Sequence, residues 1–160
     1  RLVQHQNRRV MHQRFGHQQA PALAPESAPL LGLAALIGQQ SRTLPISPPA
    51  DARLAPFTEQ GQRLYRQRFG QLDFSCAQCH DEHAGRRLAG SLIPQAHPTG
   101  YPLYRLEWQA LGSLQRRLRG CMTGVRAEPY AYDAAELVAL ELYLMQRAAG
   151  MAIETPAVRP

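Results

Sequence analysis

The stretch Cys76-Ala77-Gln78-Cys79-His80 constrains this chain more than any other. Two cysteines separated by two residues, with a histidine immediately after, form the attachment signature of a c-type haem. The thiols add across the porphyrin vinyl groups as thioethers, and the adjoining imidazole is then held under the iron as its proximal ligand. A bare C-x-x-C also suits a dithiol redox site or half of a zinc site. A zinc ribbon would need a second such pair, and only Cys121 remains. A thioredoxin-like site would need a strand before the motif and a β-α-β frame around it, and the sequence has neither. Haem attachment is the reading against which the rest of the chain is tested.

At 160 residues the chain makes one ordinary domain, or a small domain with an arm. Its net charge is +6, and all 18 basic residues are arginine. No nucleic-acid-binding fold or aromatic stacking platform accompanies that charge, so the balance fits attraction of small anions or an acidic protein partner better than nucleic acid. The longest apolar run, residues 30–37, is too short to span a bilayer and is interrupted by Gly32, so no membrane span is expected. The sequence begins at Arg1 and carries no visible signal peptide. Covalent haem attachment takes place outside the bacterial cytoplasm, so a periplasmic location is expected. With two cysteines committed to haem, Cys121 is left as an odd thiol that must be protected or used.

Residues 1–20 are rich in Gln, His and Arg without a clean period, and His5, His12 and His17 read as solvated rather than as metal ligands. Residues 28–40 are helical in pattern, with Leu30, Leu33, Ala34 and Ile37 on one side and Ser27 as N-cap. Pro45, Pro48, Pro49 and Pro56 mark an extended linker, and the domain boundary is placed at 49/50. Thr58 is expected to cap a helix over 59–69 burying Leu64, Tyr65 and Phe69. Gly61, one turn before Tyr65, would let another helix cross at close range. Gly85, Gly90, Pro94, Pro98 and Gly100 mark a long loop around the haem edge, and His83 reads as a surface histidine of that loop. A helix is expected over 103–119, with Leu106, Trp108, Ala110, Leu111, Leu114 and Leu118 inward and Gly120 at its end. Arg116, Arg117 and Arg119 would then suit the negative end of its dipole. The last helix, 134–149, starts at a capping-box-like Asp133/Glu136 and carries Leu137, Leu140, Tyr143 and Leu144 as its core stripe. A helix before the motif and a closing helix after it, crossing near Gly61 and Tyr143, give an all-α class I cytochrome c-like domain over 50–160.

The open face of the iron decides the chemistry. Met122, Met145 and Met151 could supply the thioether of an electron carrier, although Met145 sits in the closing helix. Cys121 follows Arg116-Arg117-Leu118-Arg119-Gly120, and neighbouring guanidinium groups favour thiolate. Arg117 precedes it by one helical turn, so the two could reach the same cavity. Ligation by Cys121, ligation by Met122 and a buried inert thiol all remain open on residue chemistry alone.

The flanking segments carry a resemblance far more specific than the haem motif. Residues 70–81 around the motif, Tyr101-Pro102-Leu103-Tyr104-Arg105-Leu106-Glu107-Trp108, residues 111–121, residues 124–130 and the terminal 154–160 together resemble the SoxA family, catalytic cytochromes of the periplasmic thiosulfate-oxidising SoxAX complex. The resemblance covers about 50–160 almost without a gap. It implies one haem c on Cys76 and Cys79, His80 and Cys121 as axial ligands of the iron, Cys121 as a catalytic persulfide, and Arg117 as a substrate contact. It further implies that thiosulfate is joined oxidatively to a cysteine of the carrier SoxYZ, by an L-cysteine S-thiosulfotransferase that passes electrons to the small cytochrome SoxX.

The amino-terminal part departs from that pattern. Family members carry a preceding haem-bearing or disulfide-linked domain, whereas residues 1–49 contain no cysteine. Pro25-Glu26-Ser27, Leu30-Leu31 and Gln40-Ser41-Arg42 still resemble the end of such a domain, so 1–49 is expected to be an arm, a partial remnant of a first cytochrome-like domain. The competing functional readings are a periplasmic monohaem electron carrier without sulfur chemistry and a non-catalytic, haem-stabilised interaction subunit.

Overall fold

The computed structural model describes residues 26–88 and 90–160. Among them run four α-helices, α1 (Ala28–Gln40), α2 (Ala55–Arg66), α3 (Leu114–Gly124) and α4 (Ala135–Arg147). Seven short strands are interspersed: β1 (Arg68–Phe69), β2 (Phe74–Ser75), β3 (Arg87–Leu88), β4 (Ser91–Leu92), β5 (Leu103–Arg105), β6 (Ala110–Gly112) and β7 (Ala157–Arg159). The all-α expectation is corrected accordingly, because the described fold mixes a helical frame with three small sheets. β1–β2 and β3–β4 are antiparallel hairpins on either side of the haem motif, while β5 pairs antiparallel with β6 and parallel with β7.

The helical frame is the crossing of α2 and α4. Pro56 sits in the first turn of α2, where its missing N–H costs no helical bond. The helix therefore begins a turn earlier than expected, and Thr58 hydrogen-bonds back to the Leu54 carbonyl at 3.1 Å instead of capping. Its inward face is Gly61, Leu64 and Tyr65. α4 presents Leu137, Ala139, Leu140 and Leu144, and with Met122 these residues form the hydrophobic core. A Cβ at Gly61 would overlap the Ala139 carbonyl and stand 2.7 Å from the Tyr143 Cβ, so the crossing requires glycine there, as expected. The Tyr65 and Tyr143 rings meet with centroids 5.4 Å apart.

The expected helix over 103–119 is replaced by the β5–β6 hairpin and a later, shorter α3. Ser113 begins α3, its hydroxyl accepting from the Arg116 N–H at 3.1 Å. Hairpin formation here depends on β7, a partner more than fifty residues away, which local periodicity does not register. Gly120 is consequently inside α3, not at its end, and the arginines lie in its first two turns. Helix α1 matches its expected span but turns Leu31 and Ala35 inward, leaving Leu33 and Ile37 56% and 61% exposed. Apolar residues nearly encircle α1, so its phase is fixed by packing against β6 rather than by its own pattern. The proline-rich stretch after α1 is extended, as expected, and pairs with the segment after α4. Thr43 donates to the Ile153 carbonyl at 2.9 Å and Ile46 to that of Met151 at 2.8 Å. His5, His12 and His17 lie outside the described residues.

Candidate functional site

Ser75 and Gln78 set up the haem motif. The Gln78 N–H donates to the Ser75 hydroxyl at 3.1 Å, and the Gln78 side-chain oxygen accepts from the Ser75 N–H at 2.9 Å. This reciprocal capping box starts a helical turn at Cys76, which widens into π geometry over Gln78–Glu82. The S-x-x-Q spacing was present in the sequence as a signal for that turn. The preceding β1–β2 hairpin is fastened to the chain beyond α3: Gln71 and Leu72 donate to the Arg126 and Val125 carbonyls, each at 3.3 Å. Gly70, at φ 66°, makes that approach possible, since a Cβ there would meet the Ala127 nitrogen at 2.7 Å. The motif and the C-terminal end of α3 are thereby held side by side.

Cys121 is carried near the C-terminal end of α3, the element this pairing holds beside the motif. Burial pushes the Cys76 thiol up to about 12, and the nearby Cys121 charge acts in the same direction. Cys79 is raised as well, by burial first and then by Cys121. The His80 ring is kept neutral chiefly by burial, the bond to Pro94 opposing and the Arg117 charge reinforcing the effect. Its Nδ1 lies 2.7 Å from the Pro94 carbonyl, which assigns the proton to Nδ1. Among the described residues no hydrogen bond reaches Nε2, which is left with its lone pair for a metal. His83 bonds through Nδ1 to the Gln78 carbonyl at 2.6 Å and is exposed, as expected of a surface loop histidine.

The methionines divide, and Met122 lies in the core cluster against which Cys76 and Ala77 of the motif also pack. Met122 is 5% exposed within the core cluster. Met145 lines a groove on the opposite side of α4 with Ile46, Pro48, Val138 and Leu142, and Met151 belongs to the segment paired with residue 46. The arginine cluster also divides. Arg116 stacks on Trp108 at 4.4 Å and faces Glu26 at 4.0 Å. Arg119 stacks on Tyr132 at 4.5 Å and donates to the Tyr130 carbonyl. Arg117 has no side-chain hydrogen bond or ion pair among the described residues. Its charge is felt at both His80 and Tyr101, and Tyr101 also senses Cys121, so this half-buried phenol belongs to the same neighbourhood. Sequence reasoning singled out Tyr101 only as part of a motif; Pro94 it read as a loop marker.

The donor set fits a covalently held haem. No three His, Cys, Asp or Glu side chains among the described residues converge closely enough to chelate a bare ion. Cys76 and Cys79 instead stand two residues apart on the motif turn with the neighbouring His80 Nε2 free, a set that could hold a porphyrin at one edge.

Several known proteins resemble this chain. Residues 60–153 match the cytochrome c domain of the SoxA/TsdA family. The L-cysteine S-thiosulfotransferase subunit SoxA of Rhodovulum sulfidophilum is 37% identical over 130 residues, covering 81% of this chain and 45% of that protein. Its counterpart in Allochromatium vinosum is 36% identical over 151 residues, covering 91% and 53%. The crystal structure of SoxXA from P. pantotrophus superposes with a TM-score of 0.79 at 34% identity, over 82% of this chain and 50% of that one. The chain spans about half the length of the curated relatives it matches.

Proposed function

This chain belongs to the SoxA/TsdA cytochrome c family, and from that premise we propose that it is the haem-bearing catalytic part of an L-cysteine S-thiosulfotransferase. The observation that carries the proposal is the placement of Cys121 and Arg117 one turn apart on α3, beside the haem motif, with Arg117 left uncommitted while Arg116 and Arg119 are engaged. A cytochrome c domain implies haem c, and the proposal is one covalent haem on Cys76 and Cys79 with His80 and Cys121 as axial ligands. When bound, the haem supplies a path for electrons out of the site.

Thiosulfate is a dianion, and Arg117 offers a planar donor fork in a half-buried setting where charge-assisted hydrogen bonds are strong. Cys121, as a persulfide, presents a polarisable sulfur at the same place. In the overall reaction a carrier thiol and thiosulfate form one sulfur–sulfur bond: R–SH and S2O3 2− give R–S–S–SO3 −, a proton and two electrons. The electrons pass to an oxidised partner cytochrome. Thiosulfate, SoxX and SoxYZ are the proposed substrate, electron acceptor and carrier; the names of the curated relatives support thiosulfate transfer to a cysteine, and the likeness to a SoxXA structure supports SoxX.

A periplasmic location follows from the chemistry of haem attachment. No helix among the described residues is long and apolar enough to cross a membrane. Residues 1–49 are proposed as the remnant of a first cytochrome-like domain and 50–160 as the haem domain. Between the two, Ile46 is the last paired residue of the extended stretch and the Asp51 side chain caps the next turn. The test is reconstitution of the holoprotein with a SoxX-type cytochrome and a SoxYZ-type carrier. Thiosulfate-dependent cytochrome reduction with formation of the carrier conjugate is expected, and absence of both with haem intact would defeat the proposal.

A further inference from the structure

Arg147 of α4 is remote in sequence from the haem motif, yet it grips both segments that hold the His80 ring. Its Nη2 donates to Asp81 Oδ1 at 2.7 Å and to the Gln95 carbonyl at 3.4 Å. Asp81 follows His80 and Gln95 follows Pro94, the two partners of the 2.7 Å ring hydrogen bond. One guanidinium thus bridges the two chain segments immediately downstream of both ends of that bond.

The bridge is itself braced. The guanidinium lies 4.7 Å over the Tyr65 ring, and the Tyr65 hydroxyl donates at 2.8 Å to the same Asp81 oxygen. Tyr65 is 1% exposed and cannot swing away without opening the α2–α4 core. The loop is held by its own backbone at Ile93, which donates to Arg86 and accepts from Gly85, but not at the next two residues. Among the described residues, the carbonyls of Pro94 and Gln95 have the His80 ring and Arg147 as their hydrogen-bond partners, and no backbone N–H reaches either. An ion pair on an open surface contributes little; here Asp81 is exposed, but Arg147 is largely covered and is tied to an aromatic ring and a second acceptor.

We infer that Arg147 is a positioning residue for the proximal imidazole. It fixes the Pro94 carbonyl relative to the His80 ring, and so sets the ring's tautomer and its orientation toward the metal. The inference rests on the reading of His80 as the iron ligand. A clasp that merely stapled α4 to the motif would affect stability and leave the ring undisturbed.

The test is proton NMR of the full holoprotein in its oxidised form, following the hyperfine-shifted His80 ring signals and the solvent exchange of Nδ1–H. Wild type is compared with Arg147→Gln and Arg147→Lys. Lysine keeps the charge beside Asp81 but lacks the planar guanidinium that lies over the Tyr65 ring and sets the direction of the Nη2 donors. Both variants are expected to shift the His80 signals and to accelerate Nδ1–H exchange about tenfold or more, with the haem still covalently attached. Unchanged ring signals and exchange in either variant, even with a lowered melting temperature, would overturn the positioning role. Should Arg147→Gln not fold, Arg147→Lys decides alone on the same criteria. A wild-type spectrum without histidine ligation would overturn the ligand assignment itself, before any variant is compared.

Discussion

Gly61 of α2 lies so close to Tyr143 of α4 that a methyl group at residue 61 would stand 2.7 Å from the Tyr143 Cβ. The overlap extends to the Ala139 carbonyl, which is backbone and cannot rotate aside. Gly61→Ala should therefore force the two helices apart and destabilise the holoprotein by about 1–3 kcal/mol, the usual cost of overpacking a core. Denaturant unfolding of wild type and variant checks this, and equal midpoints would contradict it.

Ser113 fixes where α3 begins, and α3 carries both Arg117 and Cys121. Removing its hydroxyl by Ser113→Ala leaves the Arg116 N–H without its cap and should cost about 1 kcal/mol. Thermal unfolding of the oxidised holoprotein measures the effect, and a melting temperature equal to wild type would count against the cap.

Glu141 gives stability a dependence on pH. Burial raises its carboxyl above the ordinary value, the hydrogen bond from Gln115 opposes this, and the Asp133 charge adds to it. A carboxyl raised in the folded state holds its proton there longer than in the unfolded chain. Its stabilising contribution is complete below the unfolded value and is lost as pH rises through the folded one. Glu141→Gln keeps an acceptor for Gln115 and removes the titration. Its stability should fall less steeply than wild type as pH rises from acid to neutral, and exceed it at neutrality. Parallel pH profiles for the two proteins would refute this.

Arg117 is separable from its neighbours. Arg117→Ala should lower kcat/KM for thiosulfate roughly tenfold or more, as loss of a charge-assisted hydrogen bond does, while the visible haem spectrum stays as in wild type. Arg116→Ala removes a stack on Trp108 and should instead destabilise the fold by about 0.5–1 kcal/mol with thiosulfate use retained. Steady-state kinetics in the reconstituted system and unfolding measurements separate the two outcomes, and a reversed pattern would contradict the division of the cluster.

Local sequence made the haem motif, the last helix and the Gly61–Tyr143 crossing legible, because each depends on residues a few positions apart or on the absence of a side chain. The β5–β6–β7 sheet was not legible. Leu103 pairs with Ala157, more than fifty residues away, and the apolar spacing from Leu106 to Leu118 suits a helix equally well. The inward face of α1 was misread for a related reason, since Leu31 and Leu33 differ only in what α1 packs against. At the site, spacing sufficed to pair Arg117 with Cys121. The roles of Pro94, Tyr101 and Arg147 arise from loops and helices folded together and left no local signal. The separation of Arg117 from Arg116 and Arg119 likewise depended on where Trp108, Tyr130 and Tyr132 came to rest.

The central claim is that Cys121 is the sulfur-carrying residue of the site. Mass spectrometry of the peptide containing Cys121, from holoprotein exposed to thiosulfate and the carrier, tests it most directly, alongside turnover of Cys121→Ala. An extra sulfur atom on Cys121, with turnover abolished in the variant, is the expected result. An unmodified Cys121 together with full thiosulfate turnover by Cys121→Ala would contradict it.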